Sequence, residues 1–154
     1  TAAAGGKVSL DPNLRPELLG GEEAVRQVCK PVVDLAALIL PSASEAEVLT
    51  GLNGADAACE ALLAGAAEVV ALKRGADGCS VYTAAGKTDA EAFQVQAVDP
   101  TGAGDCFDAA FLVGAERVGG HSNRRDGESH AYDYESEDEL LMGLSSFSRH
   151  PSDA

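Results

Sequence analysis

The sequence predicts an α/β protein of three layers, a mostly parallel sheet flanked by helices. Three observations predict it. Compact apolar runs alternate with helical segments along residues 7–118. Pro or Gly bounds most of those runs, as expected of buried strands. A Gly-rich turn, Thr101-Gly-Ala-Gly-Asp105, leads into a long apolar segment that reads as a helix packed closely on a sheet.

Lys7–Leu10 predicts a short strand that stops at Asp11-Pro12-Asn13. Glu22–Lys30 predicts a helix: two acids lead, a Lys closes, and Ala24, Val25 and Val28 fall at helical spacing. Ala36–Leu40 predicts a buried strand ended by Pro41. Ser44 is placed to cap a helix through Glu45, Glu47, Val48 and Leu49, with Gly51 just past its end. Asp56–Ala64 predicts another helix, and Glu68–Lys73 a buried strand closed by Gly75 and Gly78. Cys79–Thr83 and Phe93–Val98 predict an antiparallel pair beside the parallel strands. Cys106–Val118 predicts a buried helix.

The 154 residues suit one domain with a real core, with a polar, acidic tail over 121–154 that its composition predicts to be disordered. The boundary falls at Gly119-Gly120, so residues 1–120 form the folded part. A formal net charge of -14 excludes a basic nucleic-acid footprint and attraction to anionic membranes. The four cysteines (Cys29, Cys59, Cys79, Cys106) form no CxxC pair, which argues against zinc and for buried thiols in the cytoplasm. The start, Thr-Ala-Ala-Ala-Gly-Gly-Lys, has no initiator Met and no signal-peptide pattern, and reads as a cut inside a longer chain.

The chemistry is concentrated at Thr101–Asp105. Amides of Gly102, Ala103 and Gly104 at a helix N-terminus make an anion cradle, and Asp105 can accept a proton from an attacking hydroxyl. The absence of a following Lys excludes the P-loop, and Phe107 at the third Gly position excludes the dinucleotide fingerprint. A plain tight turn is the alternative reading.

Val98-Asp-Pro-Thr-Gly-Ala-Gly-Asp-Cys-Phe-Asp-Ala-Ala-Phe111 resembles the second signature of ribokinase-like (PfkB-type) carbohydrate kinases. The resemblance implies Asp105 as catalytic base, Gly102, Ala103 and Gly104 as anion hole, and Asp99 at a monovalent-cation (K⁺) site. It implies Thr101 at the nucleotide. Asp11-Pro-Asn-Leu-Arg15 resembles the DPNxR segment of fructokinases and 2-keto-3-deoxygluconate kinases, which implies Asn13 and Arg15 near phosphate or substrate. Ser42-Ala-Ser-Glu45 is similar to the family's NxxE motif with Ser for Asn, which implies Glu45 acting on Mg²⁺ through water. Lys73-Arg-Gly-Ala-Asp-Gly78 resembles the nucleotide-binding turn, with Lys73, Gly75 and Gly78 at ATP. The plainer alternatives are a capped turn, a capped helix and a hairpin turn with exposed charges, the last including Arg74.

The resemblance covers roughly residues 7–120 and implies an incomplete fold that lacks the N-terminal half and its β-lid. It implies phosphorylation of a small sugar or keto-sugar acid by ATP and Mg²⁺, with a homodimer in the full-length parent. Two rivals remain: a truncated, inactive homologue that at most binds nucleotide, and an interaction module built on the acidic tail.

Overall fold

The computed structural model describes residues 6–96 and 98–122, with side chains as far as 115. Residues 123–154, most of the acidic tail and with it His130 and His150, lie outside the described residues. The chain divides into two compact units, Thr1–Val95 and Gln96–Ala154.

In the first unit five strands form one sheet in chain order: β1 (Val8–Leu10), β2 (Ala36–Ile39), β3 (Val69–Lys73), β4 (Cys79–Thr83) and β5 (Gly86–Ala90). β1, β2 and β3 pair in parallel; β4 and β5 return antiparallel. Parallel neighbours need crossovers. Two helices make each one: α1 (Pro16–Leu19) and α2 (Glu22–Val33) join β1 to β2, and α3 (Ala43–Thr50) and α4 (Ala55–Leu63) join β2 to β3. Strand alternation sends Ile39, Val70, Leu72 and Tyr82 into a core with Ala46, Ala58, Cys59 and Leu62 of α3 and α4.

Local sequence explains the helix ends. α2 carries Glu22 and Glu23 in its first turn and Lys30 in its last, and runs past the expected end through Pro31 to Val33. Pro31 has no N–H to offer Gln27 C=O, so α2 gives up that one bond, and Asp34 N–H still reaches Lys30 C=O at 2.9 Å. α3 starts two residues earlier than Ser44 suggested. Ser42 is its N-cap, and Glu45 at the third helical position completes a capping box. Ser44 lies inside the first turn.

The expected strand Phe93–Val98 is absent among its described residues, which are exposed: Phe93 by 66% and Val95 by 79%. The reason is the tight hairpin at Ala84-Ala85. It pairs Thr83 with Gly86 and Cys79 with Ala90, so residues 86–90 already occupy the β4 edge. β5 is polar and mostly exposed, which hid it from a search for apolar runs.

In the second unit α5 spans Ala103–Ser122, and Phe107 stacks on Phe111 with ring centroids 6.1 Å apart. Its backbone stays helical through Gly119-Gly120. Cys59 and Cys79 are buried, but Cys106 is exposed, against the expectation of four buried thiols. It stands in the solvent-facing first turns of α5. Burial raises the Cys59 thiol to about 11 and also raises Cys79, so both are poor nucleophiles.

Candidate functional site

The three parallel strands end side by side. In open α/β sheets ligands bind beyond such carboxyl ends. The sequence places chemistry at each one: Asp11–Arg15 after β1, Ser42–Glu45 after β2, and Lys73–Gly78 from the end of β3. The strand ends are stitched together. Leu40 N–H donates to Leu10 C=O at 2.9 Å, and Lys73 N–H donates to Pro41 C=O at 2.8 Å.

Side chains add two cross-links. Lys73 Nζ lies 3.0 Å from Asp11 Oδ1, with both side chains largely buried. Glu45 accepts Leu14 N–H at 2.9 Å on Oε1 and, on Oε2, Ser42 N–H at 2.8 Å and Ser42 Oγ–H at 2.7 Å. Glu45 therefore ties the Asp11–Arg15 loop to the start of α3. Among the described residues Asn13 is the one non-glycine with positive φ, at 39°, and it is exposed. Arg15 is exposed as well and donates from Nη1 to Leu14 C=O at 2.8 Å.

The turn after β3 is short and pinned. Arg74 N–H donates to Gly78 C=O at 2.8 Å, and a 3-10 turn covers Gly75–Asp77. At Gly78 φ is +88°, and a Cβ would lie 2.0 Å from Ala90 C=O. Only glycine lets the end of β5 pass that close.

Sequence reasoning left Arg74 to an exposed turn, but the side chain is a hub. Its Nε donates to Ser80 Oγ at 2.7 Å; its Nη2 donates to Asp56 Oδ1 at 2.5 Å and Tyr82 Oη at 3.3 Å. Tyr82 Oη–H and Lys87 Nζ also donate to Asp56, and Ser80 Oγ–H donates to Asp89. The Tyr82 hydroxyl is the largest cause holding Asp56 down at about 2; Lys87 and Arg74 add to it. Burial and the Asp56 bond push the Tyr82 phenol up. Asp89 is lowered chiefly by Ser80. The even-numbered polar residues Arg74, Ser80 and Tyr82, continuing a core face, were the available signal.

In the second unit Asp99 Oδ1 accepts Thr101 N–H at 2.9 Å, which keeps the carboxyl below its usual range. Gly102 sits at φ +79°, and Cys106 N–H closes the first helical turn on its carbonyl at 2.9 Å. Ala103 N–H is already engaged by Pro100 C=O at 3.1 Å. Asp105 lies exposed in the first turn of α5. Thr101–Asp105 and the strand-end residues therefore stand in separate units. Among the described residues no His, Cys, Asp and Glu cluster could hold a metal ion, and no helix is long and apolar enough to cross a membrane.

Comparison with known proteins agrees with the family that the sequence resembles. The family described as pfkB family carbohydrate kinase matches residues 1–126. A probable fructokinase-7 of Arabidopsis thaliana is 35% identical over 113 residues, covering 71% of this chain and 33% of its own. A 2-dehydro-3-deoxygluconokinase of Escherichia coli K12 is 35% identical over 116 residues, covering 72% and 37%. The aminoimidazole riboside kinase of Salmonella enterica, solved with aminoimidazole riboside and an ATP analog, superposes with a TM-score of 0.71 at 28% identity, over 94% of this chain and 44% of that one. The chain spans about a third of the length of the curated relatives it matches.

Proposed function

Since the chain belongs to the pfkB family of carbohydrate kinases, we propose that it serves in ATP-dependent phosphorylation of a hydroxyl on a small sugar or keto-sugar acid. The observation that carries the reading is the first turn of α5, where Gly102 adopts positive φ and Asp105 is exposed beside the helix N-terminus. Asp105 takes the proton of the attacking hydroxyl. The hydroxyl oxygen then bonds to the γ-phosphorus as the bond to the β-γ bridging oxygen breaks, and ADP leaves. Amides of Gly102, Ala103 and Gly104 offset charge gathering on the phosphoryl oxygens, Ala103 by exchanging its bond to Pro100.

Lys73, with Gly75 and Gly78 shaping its turn and Thr101 opening α5, serves the nucleotide. Asn13 and Arg15 face substrate or phosphate, where an exposed guanidinium can grip two oxygens. Glu45 already accepts three hydrogen bonds. About one lone-pair site remains, which fits a water on Mg²⁺ better than the ion itself. Mg²⁺ there would supply charge neutralisation on the phosphates. The charged, exposed Asp99 carboxylate suits K⁺. The named relatives favour fructose or 2-keto-3-deoxygluconate as acceptor. The reading places the reaction in the cytoplasm, where the Cys59 and Cys79 thiols stay reduced. Residues 1–120 form the kinase portion and 121–154 an acidic appendage.

The alternative, an inactive homologue that at most binds nucleotide, is favoured by one fact: the chain matches only about a third of its relatives. An ATP-consumption assay with both acceptors, on this chain and on Asp105→Asn, separates them. Turnover abolished by Asp105→Asn supports the kinase. A folded but silent chain supports the alternative, and equal turnover in both proteins would refute Asp105 as base.

A further inference from the structure

Arg74 follows Lys73 directly, and strand alternation sends the two side chains to opposite faces. Lys73 goes to Asp11, and Arg74 goes to α4 and β4. Two cations (Arg74, Lys87) and two carboxylates (Asp56, Asp89) share this cluster with two hydroxyls, Ser80 and Tyr82. Ser80 is fully buried and Tyr82 is 3% exposed, so the anchor points are fixed by the core. The Arg74 backbone meanwhile opens the turn: its N–H bonds Gly78 C=O, and its C=O accepts Asp77 N–H at 3.2 Å. One residue thus joins the turn's backbone to a rigid side-chain clamp.

We propose that Arg74 is a positioning residue for the Lys73–Gly78 turn, its guanidinium held by Asp56, Ser80 and Tyr82 so that Lys73 and the turn amides keep one geometry toward nucleotide phosphates. This rests on the reading of that turn as a nucleotide site. Arg74 itself points away from Lys73 and bonds no phosphate. Its planar fork meets three acceptors in different directions, which a lysine ammonium on a flexible stem does not reproduce.

The test measures ATP affinity by calorimetry and the urea midpoint on the full chain, wild type, Lys73→Met, Arg74→Met, Arg74→Lys and Tyr82→Phe. Expected is about a tenfold loss of ATP affinity in Arg74→Met, because the turn no longer keeps one geometry. Arg74→Lys should lose several-fold despite its retained charge, and Tyr82→Phe about two-fold, with urea midpoints that do not track these losses. Full ATP affinity in Arg74→Lys would reduce the role to charge and overturn the proposal. If Lys73→Met weakens ATP and Arg74→Met does not, the nucleotide reading stands and this proposal falls. If wild type and Lys73→Met bind ATP equally, or neither binds, the nucleotide reading itself falls and takes the proposal with it. Should Arg74→Met fail to fold, Asp56→Ala removes the same anchor from an exposed position and carries the same expectations.

Discussion

Lys73 and Asp11 meet at 3.0 Å across the end of β2, so one ion pair fastens the first and third strands of the parallel set. The pair is neither at the surface nor sealed in the core. Removing either partner leaves a partly desolvated charge. Asp11→Ala should cost about 1–2 kcal/mol, below the range for fully buried pairs. Urea unfolding of both single mutants and the double mutant measures it. A coupling energy near zero would show that the two charges act independently.

Glu45 is a cap and a clasp at once. Glu45→Ala removes the capping box and strands Leu14 N–H, so stability should fall by about 1–3 kcal/mol. Glu45→Gln keeps an acceptor for one of these donors and should lose roughly half as much by the same principles. Thermal unfolding followed by circular dichroism separates the two, and equal losses would argue against the Leu14 contact.

The two glycines of the β3–β4 turn should differ. Gly75→Ala meets open space and carries only the penalty of positive φ, about 1 kcal/mol. Gly78→Ala drives a Cβ into Ala90 C=O and should cost at least about 3 kcal/mol, or unpair β5. Amide exchange across β5 reads the difference.

Acid should weaken the Arg74 cluster. The folded-state pKa of Asp56 is about 2, below its ordinary 3.8, so its contribution is full above 3.8 and fades as pH falls through 2. Asp89 is shifted the same way and loses its contribution over the same side of the scale. Stability should therefore drop between about pH 4 and pH 2, and Asp56→Asn should flatten that limb. An unchanged acid limb in Asp56→Asn would remove Asp56 from the cluster's energetics.

Much of this was legible because Pro and Gly mark the ends of apolar runs. β1 to β4 and the motifs at their ends follow from Asp11-Pro12, Pro41 and Gly75. The sequence offers Ser42-x-x-Glu45 both as a metal motif and as a capped helix, and the geometry shows the capping box formed. β5 was illegible because Lys87 and Asp89 face solvent and cross-strand polar partners, which leaves no apolar signature. Arg74 looked exposed because its partners come from α4 and β4, distant in sequence from one another. No local pattern announces such a meeting.

Strand order equals chain order across the whole sheet. Among the described residues each strand from β2 to β5 therefore pairs with its immediate predecessor. Chain entropy is surrendered in two helical crossovers and two short turns, the smallest at Ala84-Ala85. Refolding of this unit should start at the β4–β5 hairpin and spread back toward β1, and a stopped-flow trace combined with pulsed amide exchange would show protection appearing in that order.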